Sequence, residues 1–329
     1  MNTRAKTKVA RPFALAVLFL AMACLCVGCA QAGQKAESAS AEPAQVMAIN
    51  GPTGIGMANL ADDSAYNVQF VSQPDQVVSA VSSGSVDIAA VPTNLASTLY
   101  NKTQGGVKIV AVDALGSLYL VDNGQPVANL ADLKGKTVYA TGEGANPQYV
   151  LEYLLEQAGL VPGQDVTVTY VADNAQLAAM VANGEAPIAM LPEPFVSVAQ
   201  AKNAGVQVAL SVGDLWKQAT GTDLALGCVV ARTDYIDEHP AAIGAFLSDL
   251  DASIAQANGD VAATAQLCAD KGILPNAQAA QAAIPRCGLV CLTGDDMKAP
   301  VNGFLGVLAQ SNPTSVGGAV PGDGLYYKG

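Results

Sequence analysis

The sequence predicts an α/β protein of two similar lobes with a cleft between them, and three observations carry the prediction. The chain has 329 residues, more than the roughly 250–300 at which a single core stops growing. Short apolar strands alternate with amphipathic helices over most of its length, the pattern of βαβ units. One segment is repeated: Val68 to Pro92 lies over Val168 to Pro192 without a gap.

In the repeat, Val68, Val71, Gln76, Val81, Gly84, Ile88, Ala89 and Pro92 meet the same residue types at Val168, Val171, Gln176, Val181, Gly184, Ile188, Ala189 and Pro192. Each copy reads as strand, helix, strand. The first strand alternates, the helix carries apolar residues at Val77, Val78 and Val81 or at Leu177, Met180 and Val181, and a glycine closes it. A short buried strand follows and stops at proline. Upstream, a strand over Val46 to Ile49 runs into Gly51-Pro-Thr-Gly-Ile-Gly, and one over Lys136 to Ala140 runs into Thr141-Gly-Glu-Gly-Ala-Asn-Pro and a helix over Gln148 to Ala158. Downstream, Val107 to Val112 and Val206 to Val212 form a further matching pair. This alternation implies parallel βαβ units, sheets covered by helices on both faces, and α/β lobes.

The N-terminus reads as an export signal over residues 1–28. Arg4, Lys6, Lys8 and Arg11 precede an uncharged apolar run from Pro12 to Gly28, shorter than the ~20 residues of a membrane span. It ends in Cys26-Val27-Gly28-Cys29, which resembles the lipobox of bacterial lipoproteins and implies acylation of Cys29. Residues 29–44 are rich in Ala, Gln, Ser and Glu and read as a flexible tether. The expected location is the outer face of the bacterial cytoplasmic membrane, reached through the lipid alone. In that setting Cys228, Cys268, Cys287 and Cys291 are free to pair, and a Cys268–Cys287 bridge is the expected one.

Charge and composition exclude other classes. A net charge of −12 disfavours nucleic acid, which selects basic surfaces. The single histidine, His239, stands in Glu-His-Pro at an expected helix start, and nothing else supports a nucleophile–histidine site around it. Neither a Cys/His metal cluster nor a phosphate-binding Gly-Lys-Ser/Thr loop is present in the sequence. No cofactor and no metal is expected.

Four loops leave the carboxyl ends of strands, where open α/β sheets bind ligands: 51–55, 92–94, 141–146 and 192–195. Gly51, Gly54 and Gly142 permit close backbone approach. Thr53, Thr93 and Thr141 offer hydroxyls, and Asn94 and Asn146 offer amides. Ile55, Pro92 and Phe195 would shape the walls, and Glu143 and Glu193 could hold an amine. Helix capping explains the small and polar residues equally well at any one loop; their recurrence at matched places favours a ligand. No loop contains Arg or Lys, which points to a neutral, zwitterionic or cationic solute over an oxyanion.

Three further stretches carry a resemblance. Asp132-Leu-Lys-Gly-Lys-Thr-Val, Glu193-Pro194-Phe195 and Val229-Val-Ala-Arg-Thr-Asp-Tyr-Ile-Asp-Glu-His-Pro resemble elements of the solute-binding proteins of ABC importers, in the group related to nitrate, sulfonate, taurine and thiamine-precursor binding. The resemblance implies a periplasmic-binding-protein-like (type II) fold. It places lobe one at 45–118 plus 223–329 and lobe two at 119–222. It also implies a monomer that captures a small solute for an ABC permease and ATPase. A surface-tethered sensor or adhesin is the alternative, and a thiamine-pyrimidine-synthesis enzyme a more distant one.

Overall fold

The computed structural model describes residues 42–329; the export segment, Cys29 and nearly all of the tether lie outside them. Two mixed sheets form two α/β lobes. The first sheet contains β1 (Ala44–Ile49), β2 (Tyr66–Val71), β3 (Ile88–Pro92), β4 (Val107–Leu115), β10 (Ala225–Arg232) and β11 (Leu289–Leu292), in the order β11-β4-β10-β3-β1-β2. The second contains β5 (Leu118–Asp122), β6 (Thr137–Ala140), β7 (Thr167–Tyr170), β8 (Ile188–Pro192) and β9 (Gln207–Ser211), in the order β7-β6-β8-β5-β9. Apart from β11, the two orders superimpose: β2-β1-β3-β10-β4 on β7-β6-β8-β5-β9. The sequence repeat is thus a repeat of sheet topology.

The helices are α1 (Pro52–Gly56), α2 (Pro74–Ser83), α3 (Thr93–Lys102), α4 (Asn146–Gln157), α5 (Asn174–Asn183), α6 (Phe195–Lys202), α7 (Val212–Thr220), α8 (Thr233–Glu238), α9 (Pro240–Gly259), α10 (Val261–Asp270), α11 (Ala277–Ala283) and α12 (Lys298–Ser311). In the repeat, α2 and α5 end alike. Gly84 and Gly184 sit at φ 73° and 79°, and their N–H groups donate to Val81 O and Val181 O. A left-handed cap of this kind selects glycine.

The expected parallel βαβ units are present, β1 pairing in parallel with β2 and β3, and β6 with β7 and β8. β10 runs antiparallel to β3 and β4, β5 runs antiparallel to β8 and β9, and β11 runs antiparallel to β4. β5 and β10 are the strands by which the chain enters one lobe from the other. Each starts at the carboxyl edge of its new sheet and must run away from it. Both crossings therefore lie beside the cleft, and at them Gly116 and Gly213 touch backbone to backbone.

Packing joins the lobes at the same place. Trp216 on α7 is fully buried, with ring centroids 5.4 Å from Tyr153 on α4 and 6.0 Å from Phe304 on α12. Helix α12 also buries Val301, Leu305 and Leu308, each worth ~1.5–3 kcal/mol. The Cys268–Cys287 bridge is not formed. Both side chains are thiols in one apolar cluster, and Cys287 Sγ donates to Ala283 O at 3.3 Å. Burial raises both thiols, Cys268 to about 12. Among the described residues no helix is long and apolar enough to cross a membrane.

The crossing contact generates a test. A Cβ on Gly213 would lie 2.8 Å from Gly116 Cα, so Gly213→Ala should lower stability by about 1–3 kcal/mol, the usual cost of overpacking. Gly244 on α9 is exposed with nothing near its Cβ position. Gly244→Ala should instead raise stability by about 0.5–1 kcal/mol. Urea midpoints of the two variants should move in opposite directions.

Candidate functional site

Strands β1, β3 and β4 end on one edge of the first sheet, and β6, β7 and β8 end on the facing edge of the second. A buried polar atom without a partner costs about 1–3 kcal/mol, so such atoms are normally few. Of the nine among the described residues, six lie at these edges: Asn50 Oδ1, Thr93 Oγ1, both Asp113 oxygens, Asn146 Oδ1 and the Tyr170 hydroxyl. Asn50 follows β1, Thr93 follows β3, Asp113 stands near the end of β4, Asn146 opens the helix after β6, and Tyr170 ends β7. The set is rich in acceptors.

A pocket of about 160 Å³ opens on the lobe-one edge, lined by Ile49, Asn50, Pro52, Thr53, Pro92, Ala114, Ser117, Leu226 and Gly227. No Arg or Lys is in that lining. Asp113 is buried next to Gly227 of that lining: a Cβ on Gly227 would stand 2.7 Å from Asp113 Oδ1 and 2.5 Å from Thr53 Cγ2. Only a glycine lets the three groups meet. Burial raises the Asp113 carboxyl to about 7, because an ionised carboxylate without a partner is disfavoured away from water. Its neighbour Cys228 is held well above the usual thiol range, first by burial and then by Asp113.

Among the residues that the sequence nominated, Thr53 and Pro92 line the pocket. Thr53 donates to Ile49 O at 3.0 Å and keeps its oxygen as an acceptor. Thr93 is buried beside Cys228. Asn94 and Asn146 meet across the cleft, with Asn146 Nδ2 donating to Asn94 Oδ1 at 2.7 Å. Gly51 adopts φ 119°, while Gly54 brings α1 close to Ile49 O. Ile55 is in the lobe-one core. Thr141 donates to Asn174 Oδ1 at 2.6 Å, Gly142 packs on Pro147, and Glu143 is exposed. None of these last four residues lines the pocket.

Glu193 and Phe195 are placed elsewhere than a ligand-contact role requires. The Glu193 carboxylate is buried, ion-paired with Arg286 Nε, and accepts from Ser197 N at 3.1 Å. Burial raises its carboxyl, and Arg286 opposes that shift. Arg286 also donates to Ser197 Oγ and Gln200 Oε1 at 2.9 and 3.0 Å, and its carbonyl accepts from Tyr119 at 2.8 Å. Glu193 belongs to lobe two and Arg286 follows α11, which packs with the lobe-one core. This network is a clasp between lobes. Phe195 packs against the lobe-two core. Asn312 Nδ2 completes the interlobe contacts by donating to the Tyr149 hydroxyl at 2.8 Å.

The residues that sequence reasoning missed are Asn50, Asp113, Tyr170, Gly227 and Arg286. Asp113 carried a legible signal, being the one carboxylate in Val107-Lys-Ile-Val-Ala-Val-Asp-Ala-Leu; the expected strand stopped one residue short of it. Arg286 carried none, since its partner is 93 residues away. Among the described residues no group of three or more His, Cys, Asp or Glu side chains could hold a metal ion.

Comparison with known proteins follows this geometry. The chain is similar in fold to an ABC transporter protein from Parabacteroides distasonis (TM-score 0.75, 24% identity, 88% of this chain and 99% of that one). It is similar to the periplasmic aliphatic sulphonate binding protein SsuA of Escherichia coli (TM-score 0.66, 20% identity, 88% and 94%). It is also similar to the periplasmic nitrate-binding protein NrtA of Synechocystis (TM-score 0.52, 20% identity, 69% and 66%). At these identities the likeness shows the type II binding-protein fold. No curated protein matches the chain. Residues 57–269 match the family model described as ABC transporter, phosphonate, periplasmic substrate-binding protein. The chain belongs to that family and is the extracytoplasmic substrate-binding component of an ABC importer.

Proposed function

We propose that the protein is a lipid-anchored, monomeric receptor that captures a small solute rich in N–H or O–H donors and presents it to a membrane permease and its ATPase. The observation that carries the reading is the row of unpartnered buried acceptors along both facing sheet edges. A solute that donates to Asn50, Asp113 and Asn146 would satisfy groups that otherwise cost stability. The family model is named for phosphonate and two neighbours for sulphonate and nitrate. An oxyanion needs donors, commonly Arg, and this pocket's lining contains no Arg or Lys. Its chemistry favours the opposite polarity.

The lobes, at 45–118 plus 223–329 and 119–222, would move as rigid bodies about the crossings at Gly116 and Gly213. Contacts from both lobes exist together only when the cleft is shut, so solute shifts the population towards closure. The Asn94–Asn146 bond and the Glu193–Arg286 clasp supply the closed state's own contacts. A permease that reads the closed shape would accept only loaded receptor. Acylated Cys29 would hold the receptor at the membrane, with residues 29–44 as its tether.

Two measurements test this reading. Mass spectrometry of solutes released when the purified protein is denatured should find a stoichiometric small molecule bearing amine, amide or hydroxyl donors; a stoichiometric phosphonate, sulfonate or nitrate would overturn the assignment. Cys29→Ala should abolish incorporation of a labelled fatty acid and release the protein from membranes. Undiminished label on the variant would contradict the anchor.

A further inference from the structure

We propose that Asp113 is the charge-selecting residue of the cleft, and that the solute carries a protonated amine, amidine or guanidine group held against its carboxylate over Gly227. The inference rests on the solute-capture reading above and narrows it to a class of solute.

Position makes the case. Asp113 is fully buried, and neither carboxylate oxygen has a hydrogen-bond partner. The titratable groups that face it are the thiols of Cys228 on β10 and Cys291 on β11, and α1, packed over β4, contributes none. Among the described residues no cation neutralises it, in contrast to Glu193, whose equally buried carboxylate is matched by Arg286. An unpaired buried carboxylate is a standing cost of the fold. Here it stands beside Gly227, which lines the floor of the pocket together with Thr53 and Pro92. The absence of a side chain at position 227 keeps that floor thin, because a Cβ there would collide with both Thr53 and Asp113. Thr93 and Asn50 supply further unpartnered acceptors at the rim. One carboxylate surrounded by neutral acceptors suits a compact cation with several N–H donors.

The arrangement couples binding to protons. With its carboxyl raised to about 7 by burial, Asp113 is protonated below that pH and must lose its proton to receive a cation. Affinity for a permanently charged cation should therefore rise about tenfold per pH unit below 7 and level off above it. In the empty protein the sign is the reverse. The folded-state carboxyl lies above its unfolded value near 3.8, so the folded form holds the extra proton. Stability should be greatest near the lower value and fall as pH rises through about 7.

Calorimetric titration of the purified full chain tests the proposal, with methylguanidine and benzamidine as cations and methylphosphonate and methanesulfonate as oxyanions. At least one cation should bind, and Asp113→Asn should weaken it tenfold or more and flatten its pH profile between 5 and 8. The substitution keeps shape and removes a buried charge, so the variant should melt no lower than the parent at pH 8, which separates lost recognition from lost fold. Equal cation affinity in parent and variant, or a flat profile in the parent, would overturn the role of Asp113. If an oxyanion binds and the cations do not, this inference fails together with the donor-rich assignment, while capture of a solute stands. Binding of neither class would count against both.

Discussion

A polar group taken out of water must find a partner or burden the fold, and this protein gathers such groups along one surface. Elsewhere most polar side chains of the described residues find a partner, with three buried atoms excepted. Asp173, Asp260 and Asn276 cap helices, Ser253 bonds to Gly56 O, and Glu193 is matched by Arg286. At the facing sheet edges Asn50, Thr93, Asp113, Asn146 and Tyr170 are left incomplete. The deficit occurs on both lobes at the carboxyl ends of strands, where a ligand would complete it. Function here is read from what the fold leaves unfinished.

The fold puts those groups face to face through its two crossings. A chain that leaves the carboxyl edge of one sheet and enters the carboxyl edge of the other must run antiparallel in its new sheet, as β5 and β10 do. That direction brings the two edges together and keeps the joints short. Gly116 and Gly213 allow the two backbones to touch there, while Trp216, between Tyr153 and Phe304, packs the second lobe against the C-terminal helix. Rigid lobes on close joints are the mechanical condition for capture by closure.

Much of this was legible in the sequence, because duplication preserves spacing. The offset between Val68 and Val168 reappears as two superimposable strand orders, and Gly84 and Gly184 as matched helix caps. The parallel βαβ strands were legible, but the antiparallel direction of β5, β10 and β11 was not, since a short buried apolar run does not state its direction. The site was half legible. Small and polar residues after strands led to Thr53, Pro92, Thr93, Asn94 and Asn146. The same reasoning placed Glu193 against a ligand, because the Arg286 that occupies it comes from a distant segment. Asp113 was legible as the one carboxylate of its apolar stretch, but at the end of a hydrophobic strand it reads as the strand's terminus.

The central claim is that a solute held between these edges draws the lobes together. Solution X-ray scattering tests it most directly, with the wild-type chain measured empty and saturated with the solute that it carries on purification. The account predicts a smaller radius of gyration on saturation. A saturated protein with the same radius of gyration as the empty one would contradict it.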